Sequence, residues 1–306
     1  MRREELWVRD WELTESFDFR GHGVRWAVWG EGRPLVLIHG TPFSSYVWHK
    51  VVPYLKNQCR VYVYDLLGYG RSATGEGIDV SLGVQNQLLA ALLRYWRLER
   101  PHIVGHDFGG TTALRAHLLN DCEFRSLTLI DPVAIGTWGT EFDQHVPRFA
   151  EIYGSALRNL PDWAHVALVR EFIRGSSRGS IASEVLEPYV QLWSGAIGQE
   201  AFYEQIAQYD MRYTDEIRER LAEVRCPTQL LWGEADAWLP MDQFATRLTK
   251  LLPLLRFRSI AGSGHLVPED APQAIVTAVL DFLCEDRSTA LVQAQSSPLS
   301  SIKTDS

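Results

Sequence analysis

Six short apolar runs punctuate the chain: Pro34-Leu-Val-Leu-Ile38, Arg60-Val-Tyr-Val-Tyr64, Pro101-His-Ile-Val104, Ser126-Leu-Thr-Leu-Ile130, Thr228-Gln-Leu-Leu-Trp232 and Leu255-Arg-Phe-Arg-Ser-Ile260. Runs this short and this apolar suit strands buried on both faces. Between most of them apolar residues recur at helical spacing, most clearly over 81–96, 109–119, 241–252 and 272–283. Alternating strand and helix predict a mostly parallel sheet with helices on both faces. Ahead of the first run, 12–19 and 23–29 alternate about turn glycines and read as an antiparallel hairpin.

One gap is far too long for a crossover. About 95 residues separate Ile130 from Thr228, where a crossover normally needs a small fraction of that. The gap is helical in period and rich in Trp, Tyr and Phe. It predicts a helical cap over 135–212, inserted between two parts of one sheet domain, 1–134 and 213–286. The Ser-, Gln- and Thr-rich end, 287–306, reads as a disordered tail.

Bulk properties exclude several classes of partner. The 306 residues carry a formal net charge of −8 and no Lys/Arg-rich run, which disfavours nucleic acid and anionic membrane surfaces. No run of about 18 apolar residues exists to span a bilayer. No apolar segment follows Met1-Arg-Arg-Glu-Glu-Leu6, so a secretory leader is not expected. The four cysteines, Cys59, Cys122, Cys226 and Cys284, form no C-x-x-C pair. They read as buried or half-buried thiols, and the expected compartment is the cytoplasm.

The chemistry concentrates at the ends of the apolar runs. Gly105-His106-Asp107-Phe108-Gly109-Gly110 follows one run and opens a helix. That is the setting of a nucleophile elbow, with Asp in the slot usually held by Ser. A carboxylate there is already ionised at neutral pH. It can displace a leaving group from saturated carbon, forming an alkyl ester that activated water then cleaves. Asp236, in Trp232-Gly-Glu-Ala-Asp236, and His265, in Gly262-Ser-Gly-His265, follow in the order nucleophile, acid, base. Asp131, at another strand end, is a competing position for the acid, although a structural turn is its commoner role. Backbone N–H groups of Thr41 and Phe108 suit an oxyanion hole, since Pro42 has none to offer, and the Thr41–Pro42 bond suits a cis turn. His39 borders the same loop and is a substrate-binding candidate, although structural turn histidines are commoner. No metal-ligand spacing occurs, and the chemistry requires neither metal nor cofactor.

With these motifs the sequence resembles the α/β-hydrolase superfamily, and within it the epoxide hydrolases and haloalkane dehalogenases. The resemblance rests on His39-Gly-Thr-Pro42, Asp65-Leu-Leu-Gly-Tyr-Gly-Arg-Ser72, Gly105–Gly110, Trp232–Asp236 and Gly264-His265. It implies the α/β-hydrolase fold and hydrolysis through Asp107, with His265 and Asp236 in support. The substrate it implies is a small apolar organic molecule, and an epoxide opened to a diol leads. Family epoxide hydrolases protonate the opening oxygen with two cap tyrosines. Tyr203 resembles one of these, with Tyr153 and Tyr189 as candidate partners. Haloalkane dehalogenases place Trp directly after the nucleophile to bind halide, and haloacetate dehalogenases place Arg there. Phe108 does neither, so a dehalogenase would need a cap indole, Trp138, Trp163 or Trp193. Two further alternatives are an ester, lactone or carbon–carbon hydrolase with Asp in the Ser slot, and a non-catalytic binding member of the fold.

Overall fold

The computed structural model describes residues 11–136, 138, 156–254 and 256–296, with side chains given as far as residue 284. Eight strands form one sheet in the order β1-β2-β4-β3-β5-β6-β7-β8. They are β1 Glu15–Phe19, β2 His22–Trp29, β3 Arg33–Ile38, β4 Cys59–Tyr64, β5 His102–His106, β6 Ser126–Ile130, β7 Thr228–Gly233 and β8 Arg256–Ile260. β1 and β2 make the antiparallel hairpin, and β2 joins β4 antiparallel. From β4 to β8 every pairing is parallel.

The apolar runs are central because both their faces are covered. Leu35, Val36, Leu37 and Ile38 are wholly buried, as is every residue of β5, β6 and β7. β8 differs: Arg256 and Arg258 alternate with Phe257 and Ser259 on a half-exposed edge, where charge discourages pairing with another chain.

Among the described residues the α-helices are α1 Val52–Leu55, α2 Leu82–Tyr95, α3 Phe108–Leu119, α4 Asp162–Gly175, α5 Ser183–Gln191, α6 Gly195–Ala207, α7 Arg212–Arg218, α8 Met241–Leu248, α9 Val267–Asp270 and α10 Pro272–Ser296. Four of them, α4 to α7, lie between β6 and β7, in the long gap. Two expectations are corrected. The chain is helical as far as Ser296, so 287–296 is not a disordered tail; its Ala, Leu and Gln residues are good helix formers and simply extend α10. Cys284 is exposed rather than buried. Among the described residues no helix is long and apolar enough to cross a membrane.

A parallel sheet puts the carboxyl ends of β3, β5, β6, β7 and β8 on one edge. Gly40, Asp107, Asp131, Asp236 and His265 all lie in the loops that leave that edge. The inserted helices close over it: Trp193 Nε1, just past α5, donates to Pro42 O at 2.8 Å.

Candidate active site

Asp107 stands at the bend between β5 and α3 with φ 51° and ψ −120°. A non-glycine residue held there stores on the order of 1–3 kcal/mol of backbone strain. The bend survives because its surroundings are glycine. A Cβ on Gly40 would lie 2.2 Å from Asp107 Oδ1, and one on Gly109 would lie 2.2 Å from Ile38 O. These close approaches let the β3 loop reach the carboxylate. Thr41 N–H donates to Asp107 Oδ1 at 2.8 Å, and the Thr41–Pro42 bond is cis.

The other carboxylate oxygen faces an imidazole. His265 Nε2 lies 3.5 Å from Asp107 Oδ2, and Nε2 has no hydrogen-bond partner among the described residues. On its far side, His265 Nδ1 is 2.8 Å from Asp236 Oδ2. Asp236 Oδ1 accepts from the N–H groups of Trp238 and Leu239, at 2.8 Å each. That leaves the Asp236 charge well solvated by the protein itself. Burial alone would depress the His265 pKa. The flanking Asp236 and Asp107 carboxylates outweigh it and hold the imidazole well above the ordinary histidine value. Trp238 stacks on the same ring, centroids 5.0 Å apart, and fixes its plane.

Asp131 does not touch His265 Nδ1; Asp236 does. Asp131 is fully buried, with φ 41°, and its Oδ1 accepts from Gly233 N–H at 2.9 Å. Burial first, then the Asp236 charge, raise its pKa well above the carboxylate range.

His106 belongs to this assembly too, although the sequence analysis gave it no role of its own. Burial and the neighbouring His265 push its pKa down to about 4. Neutral, its Nε2–H donates to His265 O at 2.8 Å, pinning the histidine loop to the bend. The signal was its place beside the elbow nucleophile.

A small space of about 20 Å³ adjoins these groups. Thr41, Asp107, Phe108, Val133, Trp138, Phe172, Tyr209, Trp238, Leu239 and His265 line it. The Phe108 ring meets Trp138 and Tyr209 edge-on and tilted, each at 5.3 Å. A larger cleft of about 1380 Å³ opens elsewhere, around Tyr46, His49, Lys50 and Glu269, and shares no lining residue with this space. It holds no nucleophile aligned with a base.

Most of the expected substrate contacts fall outside this space. Tyr203 OH pairs with His165 Nδ1 at 3.2 Å, because the hydroxyl and imidazole satisfy each other under α6. Tyr189 OH donates to Glu269 Oε1 at 2.6 Å, a charge-assisted bond that turns it toward the larger cleft. Trp163 is 76% exposed. Trp193 spends its N–H on Pro42. His39 is a structural residue: Nε2 accepts from Leu66 N–H and Nδ1 bonds Gly40 O, both at 2.9 Å. Trp138 does line the space, but its N–H reaches Thr214 Oγ1 at 3.4 Å. Tyr153 lies outside the described residues. Sequence reasoning passed over Tyr209, whose hydroxyl lies 2.8 Å from Thr41 Oγ1. Its only signal was membership in the aromatic stretch ahead of β7.

Comparison with known proteins agrees with this architecture. Residues 33–272 match the family model described as alpha/beta hydrolase fold. An alpha/beta hydrolase fold protein from Burkholderia ambifaria is 44% identical, with a TM-score of 0.83 over 88% of this chain and 98% of that one. A fluoroacetate dehalogenase from a Burkholderia species is 27% identical over 87% of this chain and 91% of its own. Epoxide hydrolase 3 of Xenopus tropicalis is 25% identical over 82% of this chain and 71% of its own. With fold, motif order and family model in agreement, the chain belongs to the α/β hydrolase fold family and is an enzyme of the hydrolase kind.

Proposed function

We propose that this enzyme opens a small apolar epoxide to a diol through a covalent ester on Asp107. The observation that carries the reading is the asymmetry of the Asp107 carboxylate. Oδ1 is held by Thr41 N–H, while Oδ2 faces the imidazole, and Asp107 and His265 both line the small space.

Oδ2 is therefore the attacking oxygen. It bonds to a ring carbon as the carbon–oxygen bond breaks, and the electron pair stays on the departing oxygen. Tyr209 supplies that oxygen with a proton, as the one phenol among the described residues lining the space. Oδ1 becomes the ester carbonyl oxygen, already on the Thr41 N–H. When water attacks the ester carbon, negative charge gathers on that same atom, so the donor stabilises the hydrolytic transition state without moving.

The base is timed by charge. In the resting enzyme two carboxylates hold His265 protonated above its ordinary pKa. Esterification removes the Asp107 charge, so the imidazole loses one of its two anionic partners. Its proton affinity falls, so the imidazolium passes its proton to the phenolate that ring opening left on Tyr209 and, now neutral, can accept one from water. Asp236 then stabilises the imidazolium that forms.

Dehalogenation has less support, because halide departure needs donors. Phe108 has none, and the Trp138 and Trp193 N–H groups are engaged by protein oxygens.

Turnover of styrene oxide in heavy-oxygen water tests the reading. The first product should carry the old Asp107 oxygen, and the Asp107 peptide should gain heavy oxygen. An unlabelled peptide after many turnovers overturns it. Halide release from a bromoalkane, with no diol from the epoxide, would keep the ester and replace the substrate.

A further inference from the structure

The loop that carries His265 is held by one of the inserted helices. Ser176, Ser177 and Arg178 follow the end of α4. Ser176 O accepts from Leu266 N–H at 2.9 Å, just past the histidine. Just before it, Gly264 N–H donates to Asp270 Oδ2 at 2.7 Å, and the same oxygen accepts from Arg178 N–H at 2.9 Å. Asp270 Oδ1 accepts from the Ser177 hydroxyl. One carboxylate, at the end of α9, thus joins both segments. The approach is backbone on backbone. A Cβ on Gly264 would lie 2.7 Å from Ser176 O and 2.8 Å from Arg178 N, so only glycine admits a contact this close.

The same helix reaches the imidazole by a second route. Phe172, on α4, lines the small space beside Asp107. It stacks on Trp238 with centroids 4.6 Å apart, and Trp238 stacks on His265 at 5.0 Å. One side chain of α4 therefore borders the substrate, while the residues at its end hold the backbone on either side of the base.

Resting on the ester reading above, we propose that Asp270 is a positioning residue: it ties His265 to the end of α4, so that Nε2 is aimed at the hydrolytic water while the inserted helices are seated. In that step the oxygen of water bonds to the ester carbon as His265 Nε2 takes one of its protons. The carbon–Oδ2 bond then breaks, the departing oxygen takes that proton back, and the new Asp107 carboxyl gives its own proton to the ring. The three donors on Asp270 need acceptor oxygens more than a charge. An Asn in its place can keep both N–H groups on one oxygen, while its amide donates to the Ser177 oxygen and the Ser177 proton turns to Gly179 O.

The test uses the full chain with Asp270→Ala, Asp270→Asn, Gly264→Ala and Tyr189→Phe. Gly264→Ala forces the two segments apart and leaves Asp270 in place. Tyr189→Phe breaks the Tyr189–Glu269 bond, which also fastens an inserted helix to α9 but involves no atom of residues 264–266. Imidazole NMR of the free enzyme follows His265, whose ionisable neighbours are Asp236, Asp107 and His106. Asp270→Ala and Gly264→Ala should lower its midpoint toward the ordinary histidine value, because the ring no longer sits squarely between the two carboxylates. Asp270→Asn should restore it, and Tyr189→Phe should leave it in place. In single turnovers of styrene oxide, Asp270→Ala should slow ester breakdown by about tenfold or more and ester formation far less. An unchanged midpoint in either alanine variant overturns the proposal, as does a loss confined to ester formation. A shift in Asp270→Asn as large as in Asp270→Ala would mean that the charge acts rather than the bonds, and an equal shift in Tyr189→Phe would mean general loosening; either result also overturns it. If the wild-type Asp107 peptide takes up no heavy oxygen, the ester reading fails by itself, and the titration still decides the role of Asp270.

Discussion

The two halves of the site are built from different material. The sheet half supplies Asp107, Asp236 and His265 from strand-end loops far apart in sequence, and backbone or ring N–H groups hold every charge there. The helical half supplies Trp138, Phe172 and Tyr209, with no charged side chain among the described lining residues it contributes. The difference follows from what each half must do. Separated charges in a dry site need donors held to within tenths of an ångström, and parallel strand ends provide that rigidity. A wall that shapes an apolar molecule and offers it one phenol can be built from side-chain packing.

If the sheet half is the chemical half, its loss should be near total. Asp107→Ala should lower kcat by about 10⁴-fold or more, with no ester in mass spectra of the quenched enzyme. His265→Gln should be as inactive over many turnovers yet trap the ester, seen as Asp107 peptide heavier by one substrate. A His265 variant with no trapped ester would break the division between bond making and bond cleavage.

Gly40→Ala probes the backbone of the same half. The new Cβ would meet Asp107 Oδ1 at 2.2 Å, so the carboxylate or the β3 loop must shift. A displacement of about 1 Å should cost about 10²-fold in kcat/KM. Activity like wild type would mean the bend is looser than these contacts imply.

In the helical half, Tyr209→Phe should slow ester formation by about 10²-fold and spare ester breakdown. Tyr203→Phe should leave kcat nearly unchanged and cost about 1 kcal/mol of stability through the lost His165 contact, measured by denaturant unfolding. The reverse ranking would move the proton donor from Tyr209 to Tyr203.

The smallest effect concerns pH. His265 has a folded pKa above its unfolded one. Its contribution to stability is therefore full below the ordinary histidine value and is lost as pH rises through the raised value. Asp236→Asn removes the stronger of the two charge interactions. It should bring the His265 midpoint down in imidazole NMR and flatten the melting temperature across that window. An unchanged midpoint would mean that Asp107 alone holds the proton.

The elements read best from sequence were those with a strong local pattern. The apolar runs from Pro34 to Trp232 became strands because only a doubly covered sheet hides such segments. The elbow at Gly105–Gly110 was legible because its glycines have no other local use. The end of α10 was misread, since Ser and Gln suggested disorder where the following Ala and Leu carried the helix on. Tyr203, Tyr189 and Trp193 look like pocket residues in a linear string. His165, Glu269 and Pro42, each distant in sequence, took up their polar atoms instead.

The sequence by itself determined the layering of the chain, the bend that carries Asp107, and the order in which Asp107, Asp236 and His265 follow one another. Those features depend on period, on glycine, and on the chemistry of single side chains. Tertiary structure alone decided that His106 anchors the His265 loop and that Tyr209 rather than Tyr203 lines the small space. Each of these turns on which donor meets which acceptor across the fold, and hydrogen bonds formed between distant segments leave no periodic trace along the chain.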